Sequence, residues 1–153
     1  RGWYDLASLE LTDREDELGI KNSVMAVQDM IEKEESRGIP ADKIVLAGFS
    51  QGGAIALYAG LTFKKRLAGI MALSTYLPLA ESLALQDKIE KTPILMIHGT
   101  QDDVVRYTYG ARTRDHLQAK GYSVEWHEFP MTHTVCLEEI EVIRRWLLSA
   151  LGA

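Results

Sequence analysis

The sequence holds a single cysteine, Cys136, in 153 residues. One cysteine closes no internal disulfide, so the chain is not a disulfide scaffold and carries no mark of an oxidising compartment. The expectation is a cytoplasmic protein. Val135 and Leu137 flank Cys136 and suit a small buried hydrophobe better than a reactive thiol. No CxxC or HExxH spacing occurs, so no metal site is predicted, and no residue pattern calls for a cofactor. Basic side chains are also short, 17 against 22 acidic ones, for a net charge of −5. Nucleic acid is excluded as the main partner, because phosphate binding needs a basic footprint.

The stretch Arg1–Leu11 mixes polar and aromatic residues and is not leader-like. Ile44–Phe63 carries no charge and has the length of a membrane span. Its middle, Gly48-Phe49-Ser50-Gln51-Gly52-Gly53, interrupts the apolar run. A buried strand, a sharp turn and a buried helix are predicted there, with no integral membrane segment. No repeat, low-complexity tract or linker is visible, and 153 residues predict one domain spanning 1–153. Hydrophobic residues make up 46%, enough for one sizeable core.

What is present alternates. Gly19–Arg37 has Ile20, Val24, Val27 and Ile31 on one helical face and ends at Gly38 and Pro40. Lys43–Gly48 holds Ile-Val-Leu-Ala, a run of the kind buried on both faces of a parallel sheet. Gln51–Phe63 reads as a helix, and Leu67–Leu73 and Pro93–Ile97 as apolar strands. Thr108–Lys120 is a predicted helix ended by Gly121, followed by a strand in which Tyr122, Val124 and Trp126 alternate. Leu137–Leu151 is a final helix with Ile140, Ile143, Leu147 and Leu151 on one face. Strands and helices at this spacing predict an α/β fold, a mostly parallel sheet with helices on its faces. Such sheets carry their functional residues at the carboxyl ends of the strands.

Gly48-Phe49-Ser50-Gln51-Gly52 matches G-x-S-x-G between a predicted strand and a predicted helix. The pattern alone arises by chance in a chain this long roughly one time in twenty. The strand-to-helix context is what a nucleophile elbow needs. Gly48 and Gly52 would remove side chains that collide in the turn, and Gly53 would let the helix pack closely. The plainer reading is a βα turn with a serine N-cap. A serine nucleophile needs a base, and the base needs an orienting acid. Asp102 and Asp103 follow one predicted strand, and His133 follows another. Ser50, an aspartate and His133 thus stand in the order serine, acid, histidine, each at a strand's carboxyl end. His98 is expected to make a structural hydrogen bond, His116 to lie on the surface, and His127 to be a weaker candidate within the last strand.

The chain resembles the compact carboxylesterases and acyl-protein thioesterases, the phospholipase/carboxylesterase group of the α/β-hydrolase superfamily. The resemblance rests on Trp3-Tyr4-Asp5, Gly38-Ile39-Pro40, Ile44–Gly53, Ala72-Leu73-Ser74-Thr75-Tyr76-Leu77-Pro78, His98-Gly99 with Asp102 and Val105, and Met131-Thr132-His133 with Glu138-Glu139-Ile140. Thr132 stands where the family usually has glycine. The resemblance places the catalytic acid at Asp102. It implies ester or thioester hydrolysis of a small-molecule substrate through Ser50, His133 and Asp102. The Gln51 backbone N–H would be one oxyanion donor, and Trp3, Thr75, Tyr76 and Leu77 would line the acyl pocket.

No HGxG-type loop precedes Ser50 to supply a second oxyanion donor, and the family's first strands are missing ahead of it. The expectation is the later part of a longer family domain, with Ile44–Ala47 as an exposed apolar edge. Pairing with a second copy is one way to cover that edge. The competing expectation is a non-catalytic fragment or binding protein that keeps the triad residues.

Overall fold

A computed structural model of the protein describes residues 2–3, 16–83, 85 and 91–152. Tyr4 and Asp5 of the Trp3-Tyr4-Asp5 segment lie outside the described residues. Helix α1 spans Glu17–Ser36; Asp16 caps it by accepting the Gly19 N–H at 2.8 Å. Gly38 ends it with a φ of +95°. A short 3₁₀ turn at Ala41–Lys43 leads into β1, Val45–Phe49. Then follow α2 (Gln51–Thr62), β2 (Gly69–Leu73), β3 (Ile94–Gly99), α3 (Tyr107–Ala119), β4 (Val124–Phe129) and α4 (Leu137–Leu151).

The four strands form one parallel sheet in the order β1-β2-β3-β4. Side chains alternate across it. Ile70, Ala72, Ile94 and Met96 face one layer with Ala56, Leu57 and Leu61 of α2 and Leu117 of α3. Met71, Leu95 and Ile97 face the other, against Trp146 of α4. Ile20 and Val24 of α1 pack on Ala54, Ile55 and Ala59 of α2. β2 and β3 are almost wholly buried, as their apolar runs require.

Two expectations need correction. β1 is an edge strand with β2 as its only sheet neighbour among the described residues, as the expected exposed edge has it, but it is not buried on both faces: Ala47 and Phe49 are exposed. The buried face of α4 is also rotated from the one the periodicity suggests. Glu139 and Trp146 are buried, Ile143 and Leu147 are half-buried, and Ile140 is 50% exposed. Trp146 sets this rotation by laying its ring on Gly69, where a Cβ would come within 2.3 Å of the indole.

Gly69→Ala should therefore lower the unfolding free energy by about 1–3 kcal/mol, as overpacking does. The measure is a lower denaturant midpoint at unchanged slope. An unchanged midpoint would show that the Trp146 contact does not constrain the fold.

Candidate active site

Parallel register brings Phe49, Leu73 and Ile97 level at the carboxyl ends of the first three strands. Each functional loop leaves the sheet just beyond this line. Ser50 turns the chain from β1 into α2 with φ 54° and ψ −125°. A non-glycine residue held there stores about 1–3 kcal/mol of strain. Its side chain makes no cap hydrogen bond, which is evidence against the N-cap reading. The backbone is tied instead: Ser50 N–H donates to the Leu73 carbonyl at 2.9 Å, and the Ser50 carbonyl accepts from Ala54 N–H at 3.1 Å. The glycines that permit the turn are Gly48 and Gly53. A Cβ on Gly48 would lie 2.2 Å from the Gly52 backbone, and one on Gly53 2.7 Å from Thr75 Cγ2. At Gly52 a Cβ would meet only Trp3 Nε1, at an ordinary 3.5 Å, among the described residues.

Beyond β3, Asp102 is buried and Asp103 is exposed. Asp102 Oδ1 accepts N–H bonds from Val104 at 2.9 Å and Val105 at 2.8 Å. Asp102 Oδ2 lies 2.8 Å from His133 Nδ1. A carboxylate only accepts, so Nδ1 carries a proton, and in the neutral imidazole Nε2 is then the nitrogen with the lone pair. His98 Nε2 lies 2.8 Å from the Val105 carbonyl and 3.5 Å from Asp102 Oδ2. It is buried, and desolvation holds its pKa below the ordinary histidine value, so the ring is kept neutral. Its Nε2–H then donates to Val105 and closes the turn that aims Asp102, the structural bond expected of His98.

The acid and histidine loops are stitched together by backbone. Thr100 N–H donates to Phe129 carbonyl at 2.9 Å and Gln101 N–H to Met131 carbonyl at 3.1 Å. Gly99 allows this approach, since a Cβ there would sit 2.3 Å from the Met131 carbonyl oxygen. On its other side the His133 ring meets Phe49, with centroids 4.6 Å apart. Phe49 was not among the expected site residues; its place before the serine is the only signal the sequence holds. The structure thus brings His133 against both Asp102 and the residue preceding Ser50.

The remaining candidates are placed unevenly. Trp3 is 47% exposed, and its backbone N–H donates to Gln51 Oε1 at 3.3 Å. It borders a cavity of about 280 Å³ shared with Val27, Leu46, Phe49, Gly52 and Ile55. Thr75, Tyr76 and Leu77 are buried. Leu77 packs in the main core, and its N–H donates to Thr113 Oγ1 at 2.9 Å. His127 pairs with Glu125 at 2.8 Å. His116 is half-buried where a surface position was expected, and Cys136 is half-buried against the Trp146 cluster.

A left-handed serine between strand and helix, on a parallel sheet flanked by helices, places this chain in the α/β-hydrolase class. The chain belongs to the Phospholipase/Carboxylesterase family, which it matches over residues 1–150. It is 46% identical to acyl-protein thioesterase 1 of Neurospora crassa over 160 residues, covering 98% of this chain and 65% of that protein. It is 37% identical to acyl-protein thioesterase 1 of Yarrowia lipolytica over 151 residues, covering 95% of this chain and 66% of that protein. The chain thus spans slightly less than two thirds of these relatives. Among solved structures, it resembles Zea mays acyl-protein thioesterase 2 with a TM-score of 0.85 at 31% identity, covering 99% of this chain and 73% of that one. Arabidopsis thaliana SOBER1 gives a TM-score of 0.90 at 29% identity, covering 99% and 74%. Among the described residues no helix is long and apolar enough to cross a membrane.

Glu139 sits in the first turn of α4, six positions after His133, and is fully buried. Among the described residues neither carboxylate oxygen completes a hydrogen bond; the Cys136 N–H faces it and offsets only part of the burial. Desolvation therefore raises its pKa above the ordinary 4.5. The folded state then keeps a proton that the unfolded state releases. This contribution to stability is full below the unfolded value and is lost as pH rises through the folded one. Glu139→Gln should remove that loss: the variant's melting temperature should gain on the parent's from pH 4 to pH 8. A difference that does not change with pH would contradict this.

Proposed function

We propose that this protein hydrolyses carboxylic esters and thioesters, with Ser50 as nucleophile, His133 as base and Asp102 as orienting acid. The observation that carries the reading is the 2.8 Å contact between Asp102 Oδ2 and His133 Nδ1 beside the strained turn at Ser50. The acyl-protein thioesterases among its relatives support the thioester arm.

In this reading Ser50 Oγ attacks the carbonyl carbon while His133 Nε2 takes its proton. The carbonyl oxygen becomes an oxyanion and is met by the Gln51 N–H at the start of α2. Collapse breaks the bond to the alcohol or thiol, which leaves with the proton from Nε2. Water then attacks the acyl-Ser50 ester by the same steps and frees the carboxylic acid. Asp102 holds the imidazole in the tautomer with Nε2 free and stabilises the imidazolium each time it forms.

Ser50→Ala, at unchanged melting temperature, and His133→Gln should each lower kcat/KM for p-nitrophenyl butyrate by about 10³-fold or more. A fluorophosphonate probe should label the parent and leave Ser50→Ala unlabelled. Equal labelling of both would overturn the reading.

A further inference from the structure

Thr75 follows β2, beside the serine turn. It is 1% exposed, and its hydroxyl donates to the Ser50 carbonyl oxygen at 2.6 Å. Its position is set by Ser74, a second left-handed non-glycine residue with φ 46°. The Ser74 N–H is held by the Ile97 carbonyl at 2.8 Å. Gly53 leaves room for the threonine methyl, which a Cβ would approach to 2.7 Å. The hydroxyl of Thr75 is therefore turned toward the backbone and shielded from water.

The Ser50 carbonyl and the Gln51 N–H belong to one peptide unit. That unit is planar and trans, so its C=O and N–H point in opposite directions. A donor that fixes one fixes the other. Two donors converge on the Ser50 oxygen: Ala54 N–H along the helix, and the Thr75 hydroxyl from the neighbouring strand. The helical bond alone leaves the plane free to tilt, because the first turn of a helix has no preceding ladder to hold it. A hydrogen bond accepted at the carbonyl also polarises the amide and strengthens its N–H as a donor.

We infer that Thr75 is a positioning residue: its hydroxyl holds the Ser50–Gln51 peptide plane so that the Gln51 N–H is aimed at the developing oxyanion. This rests on the reading of Ser50 as the nucleophile and deepens it. It also assigns Thr75 a role other than lining the acyl pocket, which the family resemblance implies. A lining residue acts on substrate affinity; a residue that aims an oxyanion donor acts on the transition state.

The test compares Thr75→Val, which keeps the shape and loses the donor, with Thr75→Ser, which keeps the donor. Thr75→Val should lower kcat for p-nitrophenyl butyrate about tenfold, short of the ~10²–10³ that follows outright removal of such a donor. KM should stay within about twofold, and Thr75→Ser should restore kcat. The inhibition constant of a trifluoromethyl ketone, which forms a tetrahedral adduct on the serine, should rise in step with the loss of kcat. Should Thr75→Val fail to fold by circular dichroism, Thr75→Ser and Thr75→Cys replace it. They are close in size, and the weaker thiol donor should give the lower kcat. An effect on KM alone, an unchanged kcat, or a Thr75→Ser as poor as Thr75→Val overturns the inference. Ser50→Ala runs alongside: hydrolysis surviving in it overturns the functional reading itself. A fully active Thr75→Val beside a dead Ser50→Ala overturns only the role of Thr75.

Discussion

One backbone conformation organises this molecule. Ser50 stands at φ 54°, where a side chain is strained, at the tight turn by which β1 passes into α2. The strain, of about 1–3 kcal/mol, has to be held by neighbours. Leu73 takes the Ser50 N–H, Ala54 and Thr75 share its carbonyl, and Gly48 and Gly53 leave the turn room to close. The adjacent strand repeats the device at Ser74, whose N–H is in turn held by β3. Each strand end is thus braced by the next one across the sheet, and parallel register makes that bracing possible.

The acid and the histidine are held by a different means. Asp102 is buried with every carboxylate oxygen occupied: two backbone N–H groups on one, His133 on the other. Burying a carboxylate is tolerable only when it is satisfied in this way. His98, neutral through burial, closes the same turn without placing a positive charge beside Asp102. Polar satisfaction near the site is uneven, however. Among the described residues the Ser74 hydroxyl is buried without a hydrogen-bond partner, and buried Glu139 has only the Cys136 N–H facing it. Ser74 lies on the segment that positions Thr75 beside the serine turn, where local stability is commonly given up for geometry.

Much of this was legible from residue patterns. The apolar runs located β2 and β3, because a strand buried on both faces leaves no polar position to obscure it. The G-x-S-x-G segment located the turn, because few residues tolerate a tight strand-to-helix reversal. The HGxxDxxV resemblance separated Asp102 from Asp103, and the structure buries the former and exposes the latter. The buried face of α4 was harder, since Ile140 and Ile143 are equally apolar and only the seat of Trp146 on Gly69 selects between the faces. Gly52 and Gly53 posed the same difficulty: both are glycine, and the one that matters is the one facing Thr75.

The sequence by itself determined the kind of sheet and the strand-to-helix turn at Ser50, because these follow from periodicity and local backbone chemistry. Contacts across the sheet are set by register and by the tilt of packed helices, which no local pattern encodes. The tertiary structure alone decided that Phe49 meets His133, that His98 closes the acid's turn, and that Thr75 reaches back to the Ser50 carbonyl. The first and last of these join residues from different strands, brought together only when the carboxyl ends align, and the second folds the loop after β3 back onto its own strand.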